Sequence, residues 1–262
     1  MNPTLQIIHD RRSIRAYQDR AVEPAVRDQL LQATLRAPTA GNMMLYSILD
    51  ITDQSIKDTL ARTCDDQPFI ARAPLLLLFL ADCQRWHDFY LASGVEAVCR
   101  ARGQPMRQPA EGDLFLACCD ALIAAQTAVL AAESLGLGSC YIGDILENYE
   151  THRDLLHLPR FVFPISLVCF GYPTPAQLER ERTTRFGRKF IVFQDRYRRL
   201  ETEQFGEMFG EFEARAEAQR DKIAGFVSAA QLQYDRKFNA AFSREMTRSV
   251  QAILRVWQGE PA

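Results

Sequence analysis

The spacing of hydrophobic positions changes period several times along the chain. Leu5 and Ile8, with Ile7, share one face of a short helix predicted over 3–11, and Arg12 to Gln18 reads as extended. Pro24 opens a second helix, in which Val26, Leu30, Leu31 and Leu35 recur at helical spacing until Pro38 stops it. The loop Pro38-Thr39-Ala40-Gly41-Asn42 follows, then a strand over Ser47–Thr52 and a helix over Gln54–Cys64. Leu75–Asp82 is apolar until its last residue, which predicts a central strand covered on both faces. Residues 84–102 predict a helix. From Asp113 to Leu135 the chain is rich in Ala, Leu, Ile and Cys with almost no charge, as a core or interface helix surrounded by protein requires. Gly136-Leu137-Gly138 ends it; Ser139–Ile142 predicts a strand, Leu146–Leu156 a helix, and Phe161–Tyr172 a long strand closed by Gly171 and Pro173. A charged stretch, Glu179–Arg188, precedes a short strand-like Phe190–Phe193. Beyond Leu200 the pattern is helical to the end, with amphipathic stripes at Phe205, Phe209 and Phe212 and at Phe238, Phe242, Met246, Val250, Ile253 and Trp257. Four or five strands alternating with helices imply an α/β or α+β layer structure.

Composition narrows the function classes. At 262 residues, 47% hydrophobic and 24% charged, the chain has material for one large domain or a domain with an appendage, and disorder or fibrous repeats are excluded. A net charge of −2 leaves no overall positive field for nucleic acid or an anionic membrane, so any anion site is local. Seven cysteines, odd in number and without a C-x-x-C, argue against a disulfide framework or a zinc ribbon and predict a reducing, cytoplasmic setting. Residues 1–12 lack the apolar stretch of a signal peptide. The longest uninterrupted apolar run, Leu75–Ala81, is far below the ~20 residues that cross a bilayer. The four histidines fall into no metal spacing, there is neither G-x-S-x-G nor a P-loop, and Cys118-Cys119 reads as inert packing.

Chemistry concentrates at Arg11-Arg12-Ser13-Ile14-Arg15, where a helix ends and an extended segment begins. Guanidinium forks match phosphate oxygens bidentately, and the Ser13 hydroxyl adds a donor on the same side of the strand as Arg15. Taken alone, the cluster also reads as a solvated helix C-terminus, where cations are favoured. A second group, Arg180, Arg182, Arg185, Arg188 and Lys189, reads alone as a surface loop; one phosphate held from two sides explains both clusters together. The loop around Thr39 and Asn42 suits the edge of a planar ligand, although structural turns have the same composition. Gly136, Gly138 and Gly143 do not form a dinucleotide fingerprint, because Tyr141 stands where glycine is needed and the order is helix then strand.

These segments, with Glu133-Ser134-Leu135-Gly136-Leu137-Gly138-Ser139-Cys140-Tyr141-Ile142-Gly143 and Cys169-Phe170-Gly171-Tyr172-Pro173, together resemble the nitroreductase family of flavin enzymes, in register over about residues 3–200. The nearest branch is the NADPH nitroreductase and flavin reductase type. The resemblance implies an α+β fold with a central, mostly antiparallel sheet flanked by helices. It implies an FMN-binding domain over 1–200 and a helical C-terminal extension over 201–262, packing on the same domain or on the partner subunit of a homodimer. FMN at the dimer interface and NAD(P)H as donor follow from it, with small-molecule acceptors and no nucleic acid or membrane partner. Carried over by position, Arg11, Arg12, Ser13 and Arg15 would hold the FMN phosphate and ribityl chain, with Arg185 closing from the second cluster. Thr39 and Asn42 would line the isoalloxazine, Gln67 would hydrogen-bond the ring or ribityl group, and Tyr141, Ile142 and Gly143 would cover the ring. No side-chain nucleophile is expected, since the chemistry is the flavin's.

The sequence departs from the family at three places. Asn42-Met43-Met44-Leu45-Tyr46 stands where members show Asn-x-Gln-Pro-Trp, Asp144 follows Gly143 where a second glycine is common, and Thr183 replaces a lysine. The expected activity is hydride transfer from NAD(P)H to flavin and then electron transfer to a nitroaromatic, quinone or flavin. The alternatives are a flavin-binding carrier or sensor without efficient turnover, favoured by Met44, Leu45 and Asp144, and a helical interaction protein built on the 205–257 stripes.

Overall fold

The computed structural model describes residues 1–222, 225 and 228–260; the expected helical extension at 223–224, 226–227 and 261–262 lies outside them. In chain order the elements are α1 (Pro3–Asp10), α2 (Pro24–Thr34), β1 (Tyr46–Asp50), α3 (Gln54–Thr63), α4 (Pro68–Ala71), β2 (Leu75–Asp82), α5 (Gln84–Ala92), α6 (Val95–Ala101), α7 (Glu111–Ser134), β3 (Gly138–Ile142), α8 (Tyr149–Leu155), β4 (Val162–Gly171), α9 (Pro175–Leu178), α10 (Arg188–Ile191), α11 (Thr202–Glu217), α12 (Ala229–Gln233) and α13 (Ala241–Gln258). The strands form one sheet in the order β1-β2-β4-β3, every neighbouring pair antiparallel.

The apolar run of β2 is explained by a helical layer on each face. Leu76, Leu78 and Leu80 pack with Ile142, Leu167 and Cys169 against Leu60, Ala61, Phe69 and Ile70 of α3 and α4. Leu75, Leu77 and Phe79 face the other way with Val168 and Phe170, onto Ala121, Ala124, Ala125, Ala128, Val129 and Ala132 of α7. The alanines let α7 lie close to the sheet. By length and composition α7 is the one helix among the described residues that could cross a membrane, but this face of it is buried in the core. A third cluster seats the end of α13: Ala252, Ile253, Val256 and Trp257 pack with Leu114, Ala117, Tyr149, Phe161 and Phe163. Trp257 Nε1 donates to Ala110 O (3.1 Å), and Arg160 donates to the carbonyls of Val256 and Trp257 at the C-terminus of the helix, the first of which also accepts from Gly259 N (3.0 Å).

The chain divides into two compact units: Met1–Arg180 with Glu245–Ala262, and Glu181–Arg244. This division differs from the boundary expected at residue 200, and it returns the end of α13 to the first unit. In the second unit the rings of Phe186 and Phe209 meet edge to face at 5.0 Å, and Glu213 accepts from the Ala229 amide (3.1 Å). Phe205, Phe209, Phe212, Tyr234 and Phe238 line an apolar cavity of about 600 Å³ there.

Two local expectations are corrected. Phe190–Phe193 forms no strand: Phe190 and Ile191 close the helical turn α10, with Phe190 buried and Ile191 and Val192 exposed. Strand propensity describes fit to a paired, half-buried surface, and four residues among charges find no such partner. The single helix expected over 84–102 is broken at Gly94, whose φ of +74° ends α5 and starts α6.

The extended segment Arg12–Gln18 lies beside the sheet because two glycines make room. Gly138 and Gly171 are register partners in β3 and β4. A Cβ on Gly138 would meet Ile14 Cγ1 at 2.4 Å, and one on Gly171 would meet Tyr17 Cδ1 at 2.7 Å and Pro74 at 2.8 Å. Ile14 N donates to Ser139 O (2.9 Å), Gln18 N to Tyr172 O (2.8 Å) and Tyr17 Oη to Ile14 O (2.9 Å). Gly138→Ala is therefore expected to unseat residues 13–15 and cost about 1–3 kcal/mol, the usual scale of overpacking. Gly112→Ala, where a Cβ meets nothing within 4 Å, is the neutral comparison in urea denaturation. Equal stability of the two variants would refute the account.

Candidate functional site

Docking of this segment decides where its cations point. Arg11 is half-buried at the end of α1; its Nε is buried without a hydrogen-bond partner, and its guanidinium lies 6.0 Å from the Tyr141 ring centroid. Arg12 is engaged by the protein: Nη1 donates to the carbonyls of Leu178 and Arg180, the latter at 2.6 Å. Arg15 extends from an exposed position while its amide donates to Gln177 Oε1 (3.1 Å). Ser13, between them, forms the bridge to Ser139. Burial pushes the Glu133 carboxyl up to about 7 against the opposing pull of Arg11. A Glu133 that is partly protonated near neutral pH offsets less of the charge of Arg11, leaving more of it available to an anion.

The loop after α2 is held from below by a carboxylate that the sequence pattern did not single out. Asp120, buried in the middle of α7, accepts from Thr39 Oγ1, Ala40 N (3.0 Å) and Leu45 N (3.1 Å), and Thr39 Oγ1 accepts in turn from Met44 N (2.8 Å). These bonds hold Gly41, Asn42 and Met44 at φ of +55°, +56° and +49°, a conformation that a methionine reaches only when its surroundings impose it. Thr39 is thus a structural hinge of the loop, and Asn42 stands exposed at its tip. The available signal was that Asp120 is the sole charge between Asp113 and Glu133, in a helix whose burial obliges it to find donors.

At the other end of β3, Ile142 is buried in the core, so only its backbone faces outward, and Gly143 opens a short 3-10 turn to Leu146. Tyr141 is half-buried, its hydroxyl donating to Gln126 Oε1 (3.2 Å), and burial raises its phenol to about 12. Gln67 reaches the same turn from the chain reversal after α3, where Asp65 and Asp66 take φ of +56° and +49°. Its Nε2 donates to Asp144 Oδ2 (2.7 Å) and Cys64 O (3.0 Å). His152 ties the turn to α3 through Ile145 O (3.1 Å) and Thr63 Oγ1 (2.7 Å). Glu147, 7% exposed, has an Oε1 without a partner; burial, then Asp144, Asp65 and Glu245, push its carboxyl up to about 7.

Residues 8–172 match the family model described as the nitroreductase family. The chain belongs to the nitroreductase family. It is 33% identical over 191 residues to the FMN reductase [NAD(P)H] of Bacillus subtilis, covering 70% of each chain. It is 30% identical over 201 residues to the oxygen-insensitive NADPH nitroreductase of Salmonella typhimurium, covering 77% of each. Its fold is shared with the NADPH:FMN oxidoreductase of Vibrio harveyi solved with NAD+, at a TM-score of 0.77 and 22% identity, over 97% of this chain and 98% of that one.

In the nitroreductase frame, the first unit brings Arg11, Ser13 and Arg15 alongside β3, with Arg11 next to the Tyr141 ring, while Gly143 and Gln67 gather at the turn that follows Ile142. Arg185 lies in the second unit, where its Nη1 donates to Thr183 Oγ1 (2.6 Å) and to the carbonyls of Thr183 and Thr184. An FMN phosphate fits the chemistry at Arg11, where a buried guanidinium N–H lacks an acceptor. Asp120, Glu133 and Glu147 are the residues that sequence reasoning missed, because each acquires its role only through burial and contacts made in the finished fold.

The raised carboxyl of Glu147 predicts a pH dependence. Unfolded, it ionises above its ordinary 4.5; folded, it keeps its proton up to about 7. The folded state therefore holds more protons between these values, and stability is lost as pH rises through them. At ~1.4 kcal/mol per pKa unit, Glu147→Gln should gain about 2–3 kcal/mol on the parent between pH 4.5 and pH 8. Urea midpoints at both pH values check this; an unchanged difference would exclude it.

Proposed function

We propose that this chain is an FMN-dependent oxidoreductase that takes a hydride from NAD(P)H and delivers electrons to a nitroaromatic, quinone or flavin acceptor. FMN supplies the redox chemistry when bound. The protein's share is binding, orientation and electrostatics. Arg11 and Arg15 hold the phosphate as charge-assisted donors, with Ser13 adding a hydroxyl. The loop fixed by Asp120 presents Asn42 and the 39–45 backbone to one edge of the ring, while Gly143 and the backbone of Ile142 allow close approach from the sheet. Arg185, by its place in the sequence pattern, is a further candidate for the phosphate. The observation that carries this reading is the unpartnered, buried N–H of Arg11 next to the strand that carries Tyr141 and Ile142, with Arg15 exposed on the same docked segment.

The reading is tested by the visible spectrum of the purified protein, the released chromophore's mass, and NAD(P)H oxidation with menadione or a nitroaromatic. Arg15→Ala should weaken FMN binding by about 1.5–3 kcal/mol, the scale of a hydrogen bond to a charged group. Unchanged affinity would remove Arg15 from the site, and a yellow protein without turnover would favour a carrier.

The same reading makes the active form a homodimer in the cytoplasm. Seven free cysteines fit a reducing compartment. The outward face of α7 carries Phe115, 71% exposed, with Leu116, Leu122 and Ile123, an apolar stripe that a second copy would cover around a two-fold axis. Gln126, on the next turn, holds the Tyr141 hydroxyl, so this face is continuous with the proposed ring site. The double variant Phe115→Asp, Ile123→Asp should run as a monomer in light scattering and lose FMN; a dimer retaining FMN would place the interface elsewhere.

A further inference from the structure

We propose that Asp144 is a positioning residue that fixes the amide of Gln67 so that its carbonyl oxygen, and not its NH2 group, is presented to the flavin; the inference rests on the FMN reading above. The two ends of a glutamine amide are distinguished by their partners. Here both neighbours are acceptors: the Cys64 carbonyl at 3.0 Å and the Asp144 carboxylate at 2.7 Å from Nε2. Turning the amide over would set Oε1 against two oxygens and leave no donor between them. Both N–H bonds of Gln67 are therefore committed to the protein, and Oε1 is the end left for a ligand.

The backbone holds this arrangement at both sides. Gln67 N donates to Ala61 O (2.8 Å), locking the reversal that Asp65 and Asp66 form in the left-handed region. Asp144 sits in the 3-10 turn that Gly143 opens, and Glu147 N donates to its carbonyl (3.0 Å). Asp144 stands where the family commonly has glycine, and a glycine there would leave one N–H of Gln67 free and its amide able to present either end. An acceptor aimed at the cofactor must meet a donor, and FMN offers ring N–H and ribityl hydroxyl groups. Asp144 thus converts an ambivalent contact into one that selects hydrogen-bond donors of the ligand. Its negative charge adds a second effect, opposing the gain of negative charge on a nearby ring.

The test uses the full-length protein, with FMN affinity read by quenching of flavin fluorescence and the midpoint potential by redox titration. Gln67→Ala should weaken FMN by about tenfold, and Asp144→Ala by about five- to tenfold, as a hydrogen bond to cofactor is lost or loosened. The double variant should be no weaker than Gln67→Ala alone, because Asp144 acts through Gln67. Asp144→Asn retains an oxygen acceptor in the same place, so it should keep the parent's affinity while its potential moves to a more positive value. Additive losses in the double variant, or a loss in Asp144→Asn as large as in Asp144→Ala, would overturn the positioning role while leaving FMN binding intact. Unchanged affinity in Gln67→Ala would overturn it together with the placement of Gln67. A protein that takes up no FMN would overturn both this inference and the flavin reading.

Discussion

The close approach of one extended segment to the edge of the sheet is the constraint on which the site depends. Gly138 and Gly171 face each other across β3 and β4, and the side chains of Ile14 and Tyr17 occupy the space that two Cβ atoms would take. That contact buries Ile14 and sets the peptide of Ser13 against Ser139. Arg11, Ser13 and Arg15 are brought to β3 by it. Without it the same residues form a solvated, self-repelling cluster at the end of a short helix, which is the alternative their composition allows. The fold makes them a site by fixing their backbone, while Arg12 ties the segment to the carbonyls of Leu178 and Arg180.

A second constraint runs through α7. A helix with an alanine face is what permits close packing on the sheet, and Asp120 is the one charge that this packing buries. Its cost is offset by three donors from the 39–45 loop, so the core helix and the loop determine each other's geometry. The family pattern has a polar residue and a proline in this loop, where the chain has Met44 and Leu45. In this chain the loop is held by the amides of Ala40, Met44 and Leu45, and the last of these is a donor that a proline could not supply.

Much of this was legible in the sequence, and the rest was not for identifiable reasons. The uninterrupted apolar run of Leu75–Ala81 announced a strand covered on both faces, and the nearly uncharged 113–135 announced the helix that covers one of them. The four short segments from Arg11 to Pro173 carried the family and the order in which the site would assemble. Phe190–Phe193 misled because β-rich composition over four residues says nothing of whether a strand edge is available. Gly94 was passed over because one glycine in a helical pattern is often tolerated. Asp120, Glu133 and Glu147 were invisible as functional groups, since a carboxylate's partners lie 80, 75 or 6 positions away and depend on the finished fold. The two aromatic stripes looked alike in sequence, yet that of α13 ends in the core at Ile253 and Trp257 while that of α11 remains partly exposed at Phe205 and Phe212.

The site's electrostatics differ along its length, and β3 sets the distance. Ser139, beside the arginines, and Gly143, beside Asp144, are four residues apart, about 13 Å along a strand. The cationic end has an anion-seeking N–H in Arg11 and a neighbouring Glu133 that burial keeps partly protonated near pH 7. The acidic end gathers Asp144 and a Glu147 whose carboxyl also resists ionisation, first because it is buried and then because Asp144, Asp65 and Glu245 lie near it. Under the proposed function, a ligand with a phosphate at one end and a polar ring at the other would meet cations first and Asp144 beyond them. Reversal would place its phosphate against carboxylates and its ring against unneutralised arginines.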